Sequence, residues 1–160
     1  MNMNRAAAWI MKLNDASYAS ISQMELVHII NDPVFIRVPK SPGHCENITI
    51  WNDNVLPVVD LDRFYHAPVS SPQHNAIAVI IFRDNNNDFH HGGIALNSSP
   101  VLEHVDNSQS CTIPNRAKPL KDITLACFTS EQGHQVPILD MTKLFSRVYS
   151  KALIDSEICS

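Results

Sequence analysis

The sequence predicts an all-β fold of two small five-stranded barrels in tandem around a shared core, with short helices and one C-terminal helix. Three observations predict it. The run "NDNVLPVVDLDRFY" at 52–65 returns as "GHQVPILDMTKLF" at 133–145, where Val136, Pro137, Ile138, Leu139, Asp140 and Phe145 answer Leu56, Pro57, Val58, Val59, Asp60 and Tyr65. Turn residues recur roughly every 8 to 12 positions between short runs rich in β-branched side chains, a spacing that suits strands. The prolines stand at the edges of those runs, where a missing N–H removes least from a hydrogen-bonded ladder.

Taken in order, "WIMKL" at 9–13 reads as a strand, followed by a turn at Asn14 and Asp15. Residues 18–32 then slide onto 93–107 at a constant offset of 75, matching Ala19 to Ile94, Ile21 to Leu96, Leu26 to Val101, Val27 to Leu102 and Ile30 to Val105. Within this stretch "SQMELVHII" fits a strand or a short helix. The register holds where Val38 and Pro39 meet Ile113 and Pro114, and where Ile48, Thr49 and Ile50 meet Ile123, Thr124 and Leu125. It shifts to 80 at Pro57 and Pro137, so the second copy gains five residues before its last strand. "IAVIIF" at 77–82 opens that copy as "WIMKL" opens the first, ahead of the longer turn "RDNNNDFHHG".

Pseudo-repeat 1 thus spans about 9–65 and pseudo-repeat 2 about 77–145. Between them "HAPVSSPQHNA", 66–76, has two prolines, two serines and no long apolar run, as an exposed linker should. Each half alone offers too little core to stand, so the halves are expected to pack together as one domain over 1–160. In the tail Met141, Leu144, Phe145, Val148 and Ala152 make one apolar stripe at helical spacing, which predicts a docked helix over about 141–154.

With 160 residues, 44% hydrophobic and 18% charged, the chain has ordinary globular composition. A net charge of −4 without a Lys/Arg cluster leaves no electrostatic footprint for nucleic acid or anionic lipid. Cys45, Cys111, Cys127 and Cys159 show no C-x-x-C spacing, so reduced thiols are expected rather than a zinc or redox motif. The N-terminal apolar run is shorter than a secretory segment and nothing approaches 18 apolar residues, which predicts a cytoplasmic protein without membrane insertion.

Two carboxylates in matching contexts, Asp60 and Asp140, invite an acid and base pair. Each, however, follows an apolar strand and precedes a short i, i+3, i+4 pattern, the place of a helix N-cap. They are expected to be structural caps. Asp88, His90 and His91 crowd "NNNDFHHGG", yet adjacent histidines in a strand point to opposite faces, and the segment reads as a solvated hairpin tip. Gly43, Gly92, Gly93 and Gly133 read as turn residues, and neither a dinucleotide fingerprint nor a P-loop occurs. No catalytic residue, metal or cofactor is expected. Trp51, just before the "NDN" turn, is either core or an exposed anchor for a partner.

Three stretches, "VFIRVPKSPGHCENITIWNDNVLPVVDLDRF", "GGIALNSSPVLEHVD" and "VPILDMTKLF", carry a resemblance: Tyr18 to Phe145 resembles the CheW-like domain of bacterial chemotaxis coupling proteins and of their partner histidine kinase. The resemblance implies two SH3-like barrels, no chemistry, and an adaptor that binds a methyl-accepting chemoreceptor's cytoplasmic tip and a histidine kinase's regulatory domain together. Family members usually read close to G-V-x-N-x-R-G before the "LPVVDL" block, where this chain has Asn47, Ile48, Ile50, Asn52 and Asp53 at the G, V, N, R and G places. Asn cannot replace the planar charged fork of Arg. His28 stands where many members have Glu, and Asn97 where the second copy often has Asp. The expected partner-binding surface is therefore His28, Trp51, Asn52, Asp53 and Asn54. The expected function is a divergent adaptor in a chemosensory pathway controlling flagellar or pilus-based motility. The alternatives are an interaction module outside chemotaxis and a small metal-dependent hydrolase using Asp60, Asp140, His90 or His91.

Overall fold

Eleven strands form within residues 6–13, 17–39, 47–65 and 75–146, the parts of the chain that the computed structural model describes. The first hairpin pairs β1 (Ala6–Lys12) with β2 (Tyr18–Ser22), setting Trp9 opposite Ile21 and Met11 opposite Ala19. β2 is covered on both faces, so Ser20 is buried between Ala19 and Ile21 and its Oγ donates to the Pro137 carbonyl at 3.0 Å. The ambiguous "SQMELVHII" is divided. Gln23–Glu25 make one 3₁₀ turn inside a capping box, in which Ser22 Oγ accepts from the Met24 amide and Glu25 Oε1 accepts from the Ser22 amide at 3.0 Å. Leu26–Asn31 continue as β3.

β4 is only Ile36–Arg37, and β5 (Asn47–Trp51) turns tightly into β6 (Asn54–Val59). The second copy supplies the long hairpin of β7 (Ala76–Arg83) and β8 (Phe89–Leu96), then β9 (Val101–Val105), β10 (Thr124–Thr129) and β11 (Gln135–Leu139). A helix follows at 141–146. The remainder of the stripe, with Val148 and Ala152, lies outside the described residues, as does 66–74 of the linker. Ala76 already belongs to β7, and the Asn75 amide donates to the Leu96 carbonyl at 3.1 Å.

Each sheet takes strands from both copies. One has the order β10-β11-β2-β1-β9 and the other β3-β7-β8-β6-β5-β4. The opening hairpin of each repeat is inserted into the sheet completed by the other: β1 lies antiparallel to β9 as β7 does to β3, and β2 lies parallel to β11 as β8 does to β6. The tandem order of the sequence thus becomes an exchange in space. One large cluster of buried side chains joins both sheets, with Met11, Ile21, Val59, Ile80, Phe82, Ile94, Leu139 and the helix residues Met141, Leu144 and Phe145 among them.

Two glycines expected in turns lie inside β8 instead. Gly92 and Gly93 are buried, and a Cβ on either would collide, with the Phe145 ring in the first case and with Ile77 Cγ2 at 2.8 Å in the second. They let the helix and β7 approach the strand closely. Gly133 is a turn residue with a left-handed φ of 84°, while Gly43 lies outside the described residues.

Candidate interaction surface

Four of the five candidate surface residues sit on the β5–β6 hairpin. Its turn has two residues, Asn52 and Asp53, with left-handed φ of 47° and 62°, the geometry of a type I′ turn. Asn and Asp tolerate this backbone where other L-residues with a Cβ resist it. Trp51 and Asn54 close the hairpin as opposite partners, and Asn54 Nδ2 donates to the Asn52 carbonyl at 3.0 Å. Asn52, Asp53 and Asn54 are all exposed.

The curl of the second sheet brings the fifth candidate, His28 on β3, against Trp51, with ring centroids 6.2 Å apart and planes 27° apart. His91 on β8 meets the same indole at 5.4 Å in a tilted arrangement. His91 was expected at a solvated hairpin tip; the tip is 84–88, and both histidines are half-buried within β8. Alternation sends His90 the other way, onto the Phe82 ring at 5.8 Å and to Asp84, with Nε2 2.7 Å from Oδ2. Asp84 also accepts from the amides of Asn86 and Asp88, at 2.8 and 3.0 Å. The hydrogen bond with His90, ahead of that from Asp88, holds the Asp84 carboxyl below its ordinary range. These contacts organise a turn.

Asp60 and Asp140 sit at the starts of helical turns. Asp60 Oδ1 accepts from the Asp62 amide at 3.0 Å as Leu61–Tyr65 begin a 3₁₀ turn. Asp140 Oδ1 accepts from the Lys143 amide at 3.1 Å, and its carbonyl accepts from the Leu144 amide at 3.0 Å. Among the described residues no three His, Cys, Asp or Glu side chains gather as a metal site would need.

An apolar strip beside the turn was missed in the sequence. On β5 it is Thr49 that is buried, its Oγ1 donating to the Val34 carbonyl at 2.8 Å, so Ile48 and Ile50 lie on the opposite face. Register places Ile50 against Val55, Ile48 against Pro57 and Ile36 against Ile48, all on that face. Ile50 is 59% exposed, Val55 63% and Ile36 41%, far from the burial that β-branched side chains in a sheet normally find. The signal was available in principle, because a two-residue turn at 52–53 fixes Ile50 opposite Val55. The Ile-Thr-Ile pattern alone does not say which face is inside.

The CheW-like domain family model matches residues 8–149. The chain belongs to the CheW-like domain family. This CheW-like chain is therefore a chemotaxis scaffold or adaptor rather than an enzyme. A crystal structure of the scaffolding protein TtCheW from Thermoanaerobacter tengcongensis superposes with a TM-score of 0.72 over 90% of each chain, at 13% identity. That likeness shows the fold, with its paired barrel-type sheets. No curated protein matches the sequence. Among the described residues no helix is long and apolar enough to cross a membrane. Within the CheW-like fold this chain's β5–β6 turn is built from Asn52 and Asp53, so it keeps the tight hairpin with neither guanidinium nor glycine at its tip.

Proposed function

We propose that this CheW-like chain acts in the cytoplasm as a coupling adaptor, binding a chemoreceptor's cytoplasmic tip and the regulatory domain of a histidine kinase to control flagellar or pilus-based motility. Its contact surface is the β5–β6 hairpin with its neighbours. Ile36, Ile50 and Val55 supply the apolar part, the turn Asn52, Asp53 and Asn54 a polar rim, and His28 and Trp51 an aromatic flank. The observation that carries this reading is the exposed apolar strip on an outer sheet face, because a protein of this size seldom leaves paired β-branched side chains uncovered unless something docks there. Apolar centre and polar rim are the usual anatomy of a protein interface.

The test is binding of the full chain and of an Ile50→Asp/Val55→Asp variant to purified kinase regulatory domain and to receptor signalling fragments. Both side chains point to solvent, so the variant should keep its thermal melt while its affinity falls by about tenfold or more. Affinity within about twofold of wild type for every partner would remove the strip from the interface. Failure of the wild type to co-purify with any receptor or kinase would end the coupling role. The polar turn at 52–53 favours a second reading, an interaction module outside chemotaxis; there the same variant loses a different partner, identified by capture from the native cell.

A further inference from the structure

Far in sequence from the hairpin, two thiols meet. Ser110 bridges Phe128 in antiparallel register on the outer edge of β10, which places Cys111 directly opposite Cys127. The Cys111 amide donates to the Cys127 carbonyl at 3.0 Å, and the two sulfurs are hydrogen-bonded at 3.1 Å. Opposed residues of an antiparallel pair have Cα atoms about 4.5–5.5 Å apart. A disulfide spans about 4.4–6.8 Å, so the backbone spacing of an opposed pair admits one here. We infer that Cys111 and Cys127 are a reversible oxidation site, a dithiol that closes to an intramolecular disulfide when it meets a low-molecular-weight disulfide oxidant such as oxidised glutathione.

The two thiols are not equivalent. Cys127 is buried, and burial, ahead of the neighbouring sulfur, pushes its thiol up to about 12. Cys111 is half-buried and is the one an oxidant reaches. Its thiolate attacks one sulfur of the oxidant, forming a mixed disulfide and releasing the other half as a thiol. Cys127 then gives up its proton and attacks the Cys111 sulfur, forming the Cys111–Cys127 bond and releasing the second half as a thiol. The protein loses two electrons and two protons, and the oxidant's disulfide takes both. The closed bond would tie the segment preceding Pro114 to a sheet edge that now holds it through the Ser110 bridge and the backbone bond at Cys111. In a cytoplasmic protein such a bond is transient and reports the thiol poise rather than supporting the fold.

The test uses the full-length chain carrying Cys45→Ser and Cys159→Ser, so that only this pair remains, incubated with oxidised glutathione and then with dithiothreitol. The expected result is loss of both free thiols, an internally linked 111–127 peptide in the mass spectrum, a monomeric product, and full return of both thiols on reduction. Adding Cys127→Ser should arrest the reaction as a glutathione adduct on Cys111; adding Cys111→Ser should leave Cys127 unmodified while the chain is folded. Persistence of both thiols, a stable glutathione adduct with the pair intact, covalent dimers, or no adduct on Cys111 in the Cys127→Ser chain would each overturn the inference. These outcomes are independent of whether any receptor or kinase binds.

Discussion

Replacing Gly92 by Ala tests how the C-terminal helix is seated. A Cβ at Gly92 falls 2.5 Å from Phe145 Cζ and 2.8 Å from Cδ1, where a relaxed carbon contact needs about 3.5–4.0 Å. The ring must therefore retreat by about 1 Å. It has nowhere to go: Phe145 is fully buried and stacks on Phe82 with centroids 4.6 Å apart and planes 9° apart. Overpacking of this kind costs about 1–3 kcal/mol, and disturbing the stack adds about 0.5–1.5 kcal/mol. Gly92 has no left-handed φ, so Ala also restricts the unfolded chain and returns about 0.4–1 kcal/mol. The net expectation is a loss of about 2 kcal/mol, read in urea as a midpoint about 1 M lower at unchanged slope. Shortening the ring should relieve it, so Gly92→Ala with Phe145→Leu should be less destabilised than the two single changes together by about 1 kcal/mol or more. A Gly92→Ala midpoint close to wild type, or strict additivity in the double variant, would refute the seating of the helix on β8.

Glu25 gives a pH signature. Burial, partly countered by the hydrogen bond from the Ser22 amide and reinforced by the charge of Asp140, raises its carboxyl above the ordinary 4.5. A carboxyl that holds its proton more tightly folded than unfolded adds stability below pH 4.5, and that contribution is lost as pH rises through the folded value. Glu25→Gln, which keeps an acceptor for the Ser22 amide, should therefore gain on wild type as pH goes from 4 to 7 in denaturant titrations; a gap that stays constant would contradict the burial. Asp60→Ala and Asp140→Ala should each lower stability by about 1 kcal/mol while partner binding is retained, whereas loss of binding with stability intact would give these residues another role.

Much of the fold was legible because duplication left its mark in side-chain pattern. Ala19, Ile21, Leu26 and Ile30 keep step with Ile94, Leu96, Val101 and Val105, and each pair does occupy equivalent strands. What a repeat cannot say is which strands pair, since β1 beside β9 and β1 beside a strand of its own half bury the same apolar residues. The inserted hairpins were invisible for that reason. Gly92 and Gly93 were misplaced because a glycine that admits a neighbour reads the same as one that turns the chain; only the position of Phe145 and Ile77 distinguishes them. At the surface, Trp51 was singled out by residue type, and the turn and His28 by their departure from the family pattern. His91 and the Ile50–Val55 strip emerged only once register fixed the faces of β5, β6 and β8.

The exchange of hairpins bears on what a single copy of the repeat is able to be. Such a copy holds one hairpin with no sheet to enter and a set of strands with no hairpin to receive, and neither half of that inventory satisfies the other. Two copies satisfy both at once, in the reciprocal manner of a swapped, two-fold symmetric homodimer. Joining them in one chain makes the second association intramolecular, so assembly no longer depends on how many molecules are present. It also frees the two halves to diverge: Val55 of the first copy has Gln135 as its counterpart in the second. Carrying both copies in one chain is what lets one adaptor have two different sides.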